Sequence, residues 1–250
     1  MRIKMMLHGW GVRFLGRFGL IVGIGILSLG IAGGMASPAS AQTDPEASGE
    51  ADVDPWEPFN ESNFEFNRKV DRYALKPIAT GYDAVLPDLV QTSIKNAIKN
   101  LGVVRRLVNN LLQLKFEGAS RELVRFFINS TYGIGGLFDV ARDGTGIKES
   151  DEDMGQTLGY YGAGQGPYLV LPLMPVTTVR DGFGTLVDMP MNPLFWVAPV
   201  GVTLGLFATN TVNDRSLNLD TFERVEDSVI DLYSAVRSGY LQRREAAVKD

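Results

Sequence analysis

One stretch of sixty residues in the second half of the sequence is almost free of charge. Residues 154–213 contain three charged side chains, Arg180, Asp181 and Asp188. With a chain-wide charged fraction of 21%, about thirteen would be expected over that length. The windows that flank these three residues carry no charge at all. Either window is long enough to cross a bilayer as a helix, which takes about 20 apolar residues.

The same stretch is rich in residues that break helices. It contains nine glycines and six prolines, and proline in a helix interior costs about 3 kcal/mol. Neither window is therefore predicted to form a plain transmembrane helix. Irregular backbone at membrane depth is tolerated only where protein or a cavity satisfies its polar groups. The pattern predicts either a protein that sits in a membrane and shapes a polar-lined hole, or a large, loop-rich soluble core.

The first 53 residues divide into two segments that precede the predicted fold. Residues 1–41 have the pattern of a signal peptide: four basic residues, an apolar stretch over 20–32, and an Ala39-Ser40-Ala41 cleavage site. An uncleaved membrane anchor is the alternative. Residues 42–53 are acidic and rich in small side chains, which predicts a flexible leader. The folded domain is predicted over 54–250.

Composition excludes several classes of function. Without residues 1–41 the chain has 20 basic and 29 acidic side chains, a net charge of −9, so nucleic acid is not an expected partner. The one histidine is His8, in the predicted signal peptide, and there is no cysteine. The mature chain therefore cannot run a histidine-dependent hydrolase mechanism or build an imidazole or thiolate metal site. We expect no enzyme activity, no cofactor and no metal. The acidic run 149–153 is interpreted as a solvated loop.

Apolar residues at helical spacing predict a mainly α fold. The predicted helices cover about 60–75, 88–101, 104–112, 120–128 and 220–245. Asn60 and Ser120 are the predicted N-caps of the first and fourth helices, and Lys76-Pro77 is predicted to end the first. The apolar stripes of these helices are interpreted as packing surfaces within the domain.

The glycine-rich segments contain a second signal. Residues 133–141 and 155–172 combine glycines, which permit sharp turns and close backbone approach, with apolar side chains. In the second segment, tyrosines stand beside glycine and leucine. That arrangement suits a membrane interface, where an apolar ring and a wet hydroxyl are both satisfied. A buried glycine-rich loop is the alternative.

Four motifs in order resemble the VacJ/MlaA family of Gram-negative outer-membrane lipid-asymmetry proteins. They are residues 54–60, residues 125–141, residues 155–172 with Arg180-Asp181, and a last group of Tyr233, Arg237, Tyr240 and residues 242–244. The family-motif positions that we interpret as structural are Asp54, Pro55, Phe59, Asn60, Asn129, Gly136, Asp139, Gly159, Gly166, Pro167, Arg180 and Asp181. The resemblance covers residues 54 to about 245. One motif alone is weak, whereas four in register are specific.

The resemblance implies a helical, ring-like single domain embedded in one membrane leaflet and pierced by an amphipathic channel. Similar proteins remove mislocalised glycerophospholipids from the outer leaflet and pass them to a periplasmic carrier protein, and they associate with an outer-membrane porin trimer. By analogy, the channel and its gate are expected around Leu158, Tyr160, Tyr161, Tyr168 and Leu169.

The sequence also departs from the family in two places. Many members carry an acyl-modified cysteine, and this chain has none. We therefore expect a protein on the periplasmic-leaflet side of the outer membrane that is exported by a cleaved signal peptide and is not a lipoprotein. Residues 173–177 replace a Gly-Ser-like turn found in many members, so that loop is expected to differ in shape.

Two competing hypotheses come from other classes of protein. The first is a soluble periplasmic scaffold or lipid-binding module that uses the low-charge stretch as an ordinary core. The second is a phospholipase that degrades misplaced lipid. The missing histidine and cysteine argue against the phospholipase.

Overall fold

The computed structural model describes residues 54–250, and helices make up most of this part of the chain. The mainly helical prediction is confirmed. The predicted signal peptide and the leader lie outside the described residues, so both stay predictions. None of the described helices is both long enough and apolar enough to span a membrane.

Twelve α-helices and two short strands follow one another between residues 54 and 250. The helices are α1 Glu57–Val70, α2 Lys76–Val85, α3 Asp88–Leu101, α4 Val103–Leu112, α5 Phe116–Thr131, α6 Val140–Thr145, α7 Met154–Tyr160, α8 Val179–Asp188, α9 Leu194–Val197, α10 Val200–Ser216, α11 Leu219–Ser228 and α12 Leu232–Lys249. Strands β1 (Tyr168–Leu169) and β2 (Thr177–Thr178) are antiparallel, with Tyr168 opposite Thr178. The main packing partners are α4 with α5, α7 with α8 and α12, and α10 with α2 and α3.

The first helix does not end at Pro77 as predicted. A π-helical turn, Asp71–Leu75, joins α1 to α2, and the Lys76 amide donates to the Asp71 carbonyl oxygen across it. Pro77 then occupies the first turn of α2, the part of a helix in which proline is best tolerated. The π-turn therefore lets the chain continue past a proline that sequence rules place at a helix end.

The predicted helix over 220–245 is two helices. Val229 is extended, with φ −122° and ψ 144°, and the chain restarts at Asp231, whose carboxylate accepts from the Ser234 amide at 3.2 Å. Because the Asp231 side chain can cap a new helix, the backbone can break here although the apolar stripe continues. The stripe of α12 nevertheless packs on the domain, as predicted.

Two further predictions about the middle of the chain are wrong. Helix α5 begins at Phe116, so Ser120 lies inside it and donates back to the Glu117 carbonyl oxygen at 2.9 Å. The acidic run 149–153 is not a solvated loop. Glu152 accepts from Lys115 at 2.9 Å, Asp153 caps α7 by accepting from the Gln156 amide at 2.8 Å, and Ser150 is buried. These side chains tie the run to the neighbouring helices.

The low-charge stretch forms α7 to α10 and the loops between them. Helix α10 is held by its C-terminal half: Asn213 donates to the Gln91 carbonyl oxygen at 2.9 Å, and the Arg215 guanidinium binds the Asp71 carboxylate at 2.8 Å. All of its buried residues lie between Thr211 and Ser216. The N-terminal half, which is the most apolar part, is the more exposed.

The apolar core cluster is small. Phe64 of α1, Tyr168 of β1, Val170 and Tyr233 of α12 form it. Partly buried residues packed against it are Val176, Leu232, Val236, Tyr240 and Leu241. The Phe64 and Tyr233 rings meet edge to face, with centroids 5.6 Å apart. This cluster docks α12 against α1 and the strand segment.

Candidate functional site

Helix α5 has its polarity reversed relative to a helix of a water-soluble protein. Three of its polar side chains are buried in the domain, and most of its large apolar ones are exposed. The buried polar residues are Glu122, Arg125 and Asn129, and the exposed apolar residues are Phe116, Leu123, Val124 and Phe127. Soluble helices bury the apolar stripe and expose the charges. The surface that α5 presents is therefore suited to an apolar medium.

The reversal extends over most of residues 54–250. The buried polar or charged residues outnumber the buried apolar ones by about two to one, although charged side chains are almost never buried in ordinary domains unless paired. Exposed apolar residues on other elements include Phe59, Phe66, Ile78, Leu89, Leu112 and Trp196. The interpretation of the apolar stripes as packing surfaces within the domain is therefore wrong for α5 and for much of α1, α3 and α4.

The buried charges of α4 and α5 are paired with each other. The Arg106 Nε donates to Glu122 at 2.6 Å, and the other Glu122 oxygen accepts from the Ser150 amide at 2.6 Å. Asn110 donates to the Ser150 hydroxyl at 2.8 Å. Each charge thus finds a partner, which removes most of the penalty of burying it. The network fixes the interface of α4 with α5.

A second cluster joins α5 to the loop that follows it. The Arg125 guanidinium binds both carboxylate oxygens of Asp139 at 2.9 Å, and Asn129 donates to the same carboxylate at 2.9 Å. The Asn129 oxygen accepts from the Ala141 amide at 2.9 Å. Burial raises the pKa of Asp139, but the bonds from Arg125 and Asn129 outweigh it, so the pKa lies below its usual value. Asp139 is therefore a buried carboxylate held in its charged form.

A third cluster joins α7, α8 and α12. Arg244 donates to Asp181 at 2.8 and 3.0 Å and to Asp153 at 2.6 and 2.9 Å. The Tyr240 hydroxyl and Arg180 also donate to Asp181, at 2.8 and 2.9 Å. Although burial raises the pKa of both carboxyls, these bonds hold it below its usual value. Arg244 thus neutralises one carboxylate at the start of α7 and one at the start of α8.

The first and third motifs meet at the strand segment. Asn60 on α1 donates to the Tyr168 carbonyl oxygen at 2.9 Å and accepts from the Val170 amide at 2.8 Å. The same side chain donates to Asp54, which also accepts from the Tyr233 hydroxyl. Burial raises the pKa of Asp54, but the bonds from Tyr233 and Asn60 bring it below its usual value. Asn60, predicted as a helix cap, instead holds β1 against α1.

Two motif glycines stand where a side chain would clash. Gly136 has φ +93°, and a Cβ there would lie 2.6 Å from the Asn100 Cβ. A Cβ at Gly159 would lie 2.7 Å from Val248 and 2.8 Å from the Arg180 guanidinium. Both positions therefore favour glycine for close packing of helices.

A cavity of about 640 Å³ opens beside the third cluster, between α12 and the segment that leads into β1. Its lining includes the motif residues Pro55, Gly166, Pro167 and Tyr168, together with Arg237 and Glu245 of α12. The volume lies within the range of small-molecule sites, roughly 300–1,000 Å³. The wall combines apolar, polar and charged groups, so it can contact both ends of an amphipathic ligand.

The five predicted channel residues do not come together. Tyr168 lines the cavity and is buried, whereas Leu158 and Leu169 are half-buried outside its lining. Tyr160 and Tyr161 are exposed, and the Tyr161 hydroxyl donates to the Leu112 carbonyl oxygen. The assignment of all five to a channel stays a prediction.

Polar residues of the interior that sequence reasoning missed include Arg106, Asn109, Gln113 and Glu122. Their signal was present in the sequence. Polar residues at spacings of three and four run along one face of α4 and of α5. In a soluble protein such a face is the solvated one, so the spacing alone does not reveal that it is buried. Residues 54–250 contain no cluster of acidic or histidine side chains that could hold a metal ion.

The family assignment rests on a direct match. The model of the MlaA lipoprotein family matches residues 52–247. The chain belongs to the MlaA lipoprotein family. The expected VacJ/MlaA membership is thereby confirmed.

Relatives of known name give the same family. This MlaA-family chain is 31% identical to the Haemophilus influenzae protein named "Intermembrane phospholipid transport system lipoprotein MlaA", over 79% of this chain and 80% of that protein. It is 33% identical to the Escherichia coli protein of the same name, over 77% of each. A solved structure described as "Structural basis for maintenance of bacterial outer membrane lipid asymmetry" matches with a TM-score of 0.71 and 31% identity. That match covers 78% of this chain and 99% of the other.

These names overturn one expectation. The prediction of an outer-membrane protein that is not a lipoprotein is wrong, because the family and its curated MlaA relatives are named lipoproteins. The prediction rested on the absence of cysteine from the sequence. That absence was too narrow a basis for excluding lipid attachment in a member of this family.

Proposed function

We propose that this MlaA-family chain removes mislocalised glycerophospholipids from the outer leaflet of the outer membrane and passes them through an amphipathic channel to the periplasmic side. A soluble carrier protein then takes up the lipid, and an outer-membrane porin trimer holds the helical ring in place. Phospholipid transport and lipid asymmetry are the functions that the family and its named relatives support. The channel, the carrier and the porin are the proposed detail.

The reversed polarity of the domain is the observation that carries the proposal. A polar network including Arg106, Glu122, Arg125 and Asp139 is buried, while Leu123 and Phe127 of α5 are exposed. In water such a surface would be costly, at roughly 25 cal/mol per Å² of apolar area. In a bilayer the cost disappears, since lipid tails solvate the apolar side chains. The polarity supports a domain that sits among acyl chains and keeps polar groups inside.

The mechanism needs a polar path through an apolar layer. A headgroup carries charge, and moving it through bare hydrocarbon is expensive. A wall with hydrogen-bond donors replaces part of its hydration, while the acyl tails slide along apolar side chains. Net movement down a gradient requires no covalent step, so we propose transport without hydrolysis. The proposed path passes the segment of Leu158, Tyr160, Tyr161, Tyr168 and Leu169.

A deletion strain tests this proposal. Loss of the chain should raise the amount of phospholipid that a membrane-impermeant amine reagent labels in the outer leaflet, and the wild-type gene should reverse the effect. Levels of lysophospholipid and free fatty acid should stay constant. A fall in those hydrolysis products would favour the phospholipase hypothesis. Recovery of the protein in the osmotic-shock fluid would favour the soluble scaffold instead.

The porin and carrier are tested separately. A photo-crosslinker placed at exposed Phe127 should capture the porin or lipid, whereas one at buried Ala141 should capture neither. Transfer of labelled phospholipid from the purified chain to the carrier in solution would establish the handover. A chain that supports asymmetry without contacting a porin would overturn that part of the proposal.

A further inference from the structure

Tyr168 stands out among the buried polar side chains of the cavity wall. Its side chain is 2% exposed, and within residues 54–250 its hydroxyl has no hydrogen-bond partner. Tyr233 and Tyr240, which pack against its ring at centroid distances of 6.0 and 6.1 Å, donate to Asp54 and Asp181. Buried hydroxyls are normally satisfied. An orphaned donor in a cavity wall therefore points to an acceptor that a ligand supplies.

Charges of both signs lie near the Tyr168 hydroxyl. Burial raises its pKa well above the usual value, the negative charge of Asp54 acts in the same direction, and the positive charge of Arg237 acts in the opposite one. The hydroxyl therefore stays protonated and available as a donor at neutral pH. Gln165, Ser238 and Gln242 supply further polar groups to the same lining. A cation with several neutral donors is the usual environment of a bound phosphate oxygen.

One residue of the wall carries the opposite charge. Glu245 lies eight positions after Arg237 on α12, which is about 12 Å along the helix axis at 1.5 Å per residue. It already binds Lys249 at 2.5 Å on the exposed side. Arg237 thus attracts an anion to the Tyr168 end of the cavity, against the nearby charge of Asp54, and Glu245 repels it from the other end. Leu241, Pro55 and Pro167 provide apolar surface between the polar groups.

We propose that this cavity is a headgroup site, in which the Tyr168 hydroxyl donates a hydrogen bond to the phosphate of a glycerophospholipid. The inference rests on the proposed transport function and assigns one specific residue to lipid recognition. The apolar part of the wall contacts the glycerol and the first methylenes of the tails. The acyl chains extend out of the open side of the cavity.

The decisive variant is Tyr168→Phe in the full-length protein, purified in detergent. It removes a hydroxyl that satisfies nothing in the described chain, so the unliganded protein should unfold at the same temperature as the wild type or a higher one. The probe is dihexanoylphosphatidylethanolamine, added below its micelle concentration. Dihexanoylglycerol, which lacks the phosphate, and inorganic phosphate serve as separate arms. The readout is the ligand concentration that gives half the maximal shift in the unfolding temperature.

We expect the phospholipid to stabilise the wild type far more than either comparison compound. Tyr168→Phe should raise the half-maximal phospholipid concentration about tenfold, since a hydrogen bond to a charged group is lost. Equal responses of wild type and variant would overturn the proposal. Full stabilisation by inorganic phosphate alone would assign the site to a free anion and also overturn it.

Tyr240→Phe is the matched control, because its hydroxyl is committed to Asp181. It should lower the unfolding temperature yet leave the half-maximal phospholipid concentration unchanged. A rise equal to that of Tyr168→Phe would show a general packing effect and overturn the assignment. The headgroup site and the transport function can fail separately. If the wild-type gene restores lipid asymmetry while Tyr168→Phe binds the phospholipid normally, the headgroup site is wrong and the transport function stands.

Discussion

Arg244 and Asp181 lie 63 residues apart in the sequence and are joined by two hydrogen bonds, at 2.8 and 3.0 Å. The same guanidinium binds Asp153, so the last helix closes over the starts of α7 and α8. Because the Arg244 side chain is 11% exposed, solvent screens these bonds weakly. The cluster joins α12 to both α7 and α8.

Replacing Arg244 with methionine should strongly destabilise the fold. The change leaves Asp153 without its cation and Asp181 with Arg180 alone, and breaking a buried ion pair from one side costs about 3–5 kcal/mol. Thermal unfolding in detergent, followed by intrinsic fluorescence, measures the effect. Arg243→Met is the control, since Arg243 is exposed and should change the free energy of unfolding by less than about 0.5 kcal/mol. Similar unfolding temperatures for both variants would contradict the role given to Arg244.

Asn67 should protect the backbone amides of the loop after β1 from hydrogen exchange. Its amide donates to the Leu171 carbonyl oxygen at 2.9 Å and accepts from the Leu173 amide at 2.6 Å. Asn67→Ala removes both bonds, which costs about 1–3 kcal/mol of local stabilisation, so the Leu173 amide should exchange its hydrogen about 5 to 150 times faster. Hydrogen–deuterium exchange with mass spectrometry measures it. Asn63→Ala removes only a local bond to Phe59 and should leave that peptide unchanged.

Stability should fall in acid because of the buried carboxylates. The pKa values of Asp54, Asp139, Asp153 and Asp181 are lower in the fold than in the unfolded chain. Their contribution is therefore complete above the unfolded pKa of about 3.9 and is lost as the pH falls through the lower folded values. The unfolding temperature should drop steeply between about pH 4 and pH 2.

Asp188 should act in the opposite direction. Burial raises its pKa in the fold, so it favours folding below the unfolded value and opposes it as the pH rises towards the folded value. Asp188→Asn should therefore flatten the loss of stability just above pH 4. Arg244→Met should reduce the acid-induced drop below pH 4. Identical pH profiles for the wild type and Arg244→Met would refute this account.

Arginine on the apolar half of α10 distinguishes a lipid-facing surface from a soluble core. Leu206 is exposed and Phe207 is half-buried. An arginine side chain that can reach the lipid headgroups costs roughly 2–3 kcal/mol of folding free energy or less. At least one of Leu206→Arg and Phe207→Arg should therefore give stable protein with weaker membrane association.

Ala141→Arg, at a fully buried position, is the control and should be degraded. Immunoblots of membrane and soluble fractions measure both quantities. Degradation of both α10 variants, together with recovery of the wild-type protein in the osmotic-shock fluid, would contradict the membrane-embedded interpretation.

Much of the helical framework could be predicted from sequence periodicity. The predicted helix over 88–101 has the observed bounds, because a stripe, a proline before it and Gly102 after it agree. Periodicity did not foresee the π-turn before Pro77, which depends on one backbone hydrogen bond. It also missed the break at Val229, which local capping by Asp231 decides.

The candidate site was less predictable for a physical reason. Spacing shows which residues share a helix face, but it does not show whether water or protein lies against that face. For α5 the usual assumption put Leu123 and Phe127 inside, and the structure has Glu122 and Arg125 there. Similarly, Tyr168 of the tyrosine-rich motif lines the cavity, but Tyr160 and Tyr161 are exposed and lie outside its lining. Side-chain direction on an irregular segment depends on tertiary contacts.

The Asp153–Arg244–Asp181 cluster also sets an order of events during synthesis. A ribosome delivers chains N-terminus first, so Asp153 emerges 91 residues before the arginine that neutralises it. In that interval Arg180 is already available to Asp181, whereas Asp153 has to wait for Arg244. The ionic contact between α7 and α12 can therefore form only after nearly the whole domain has been synthesised.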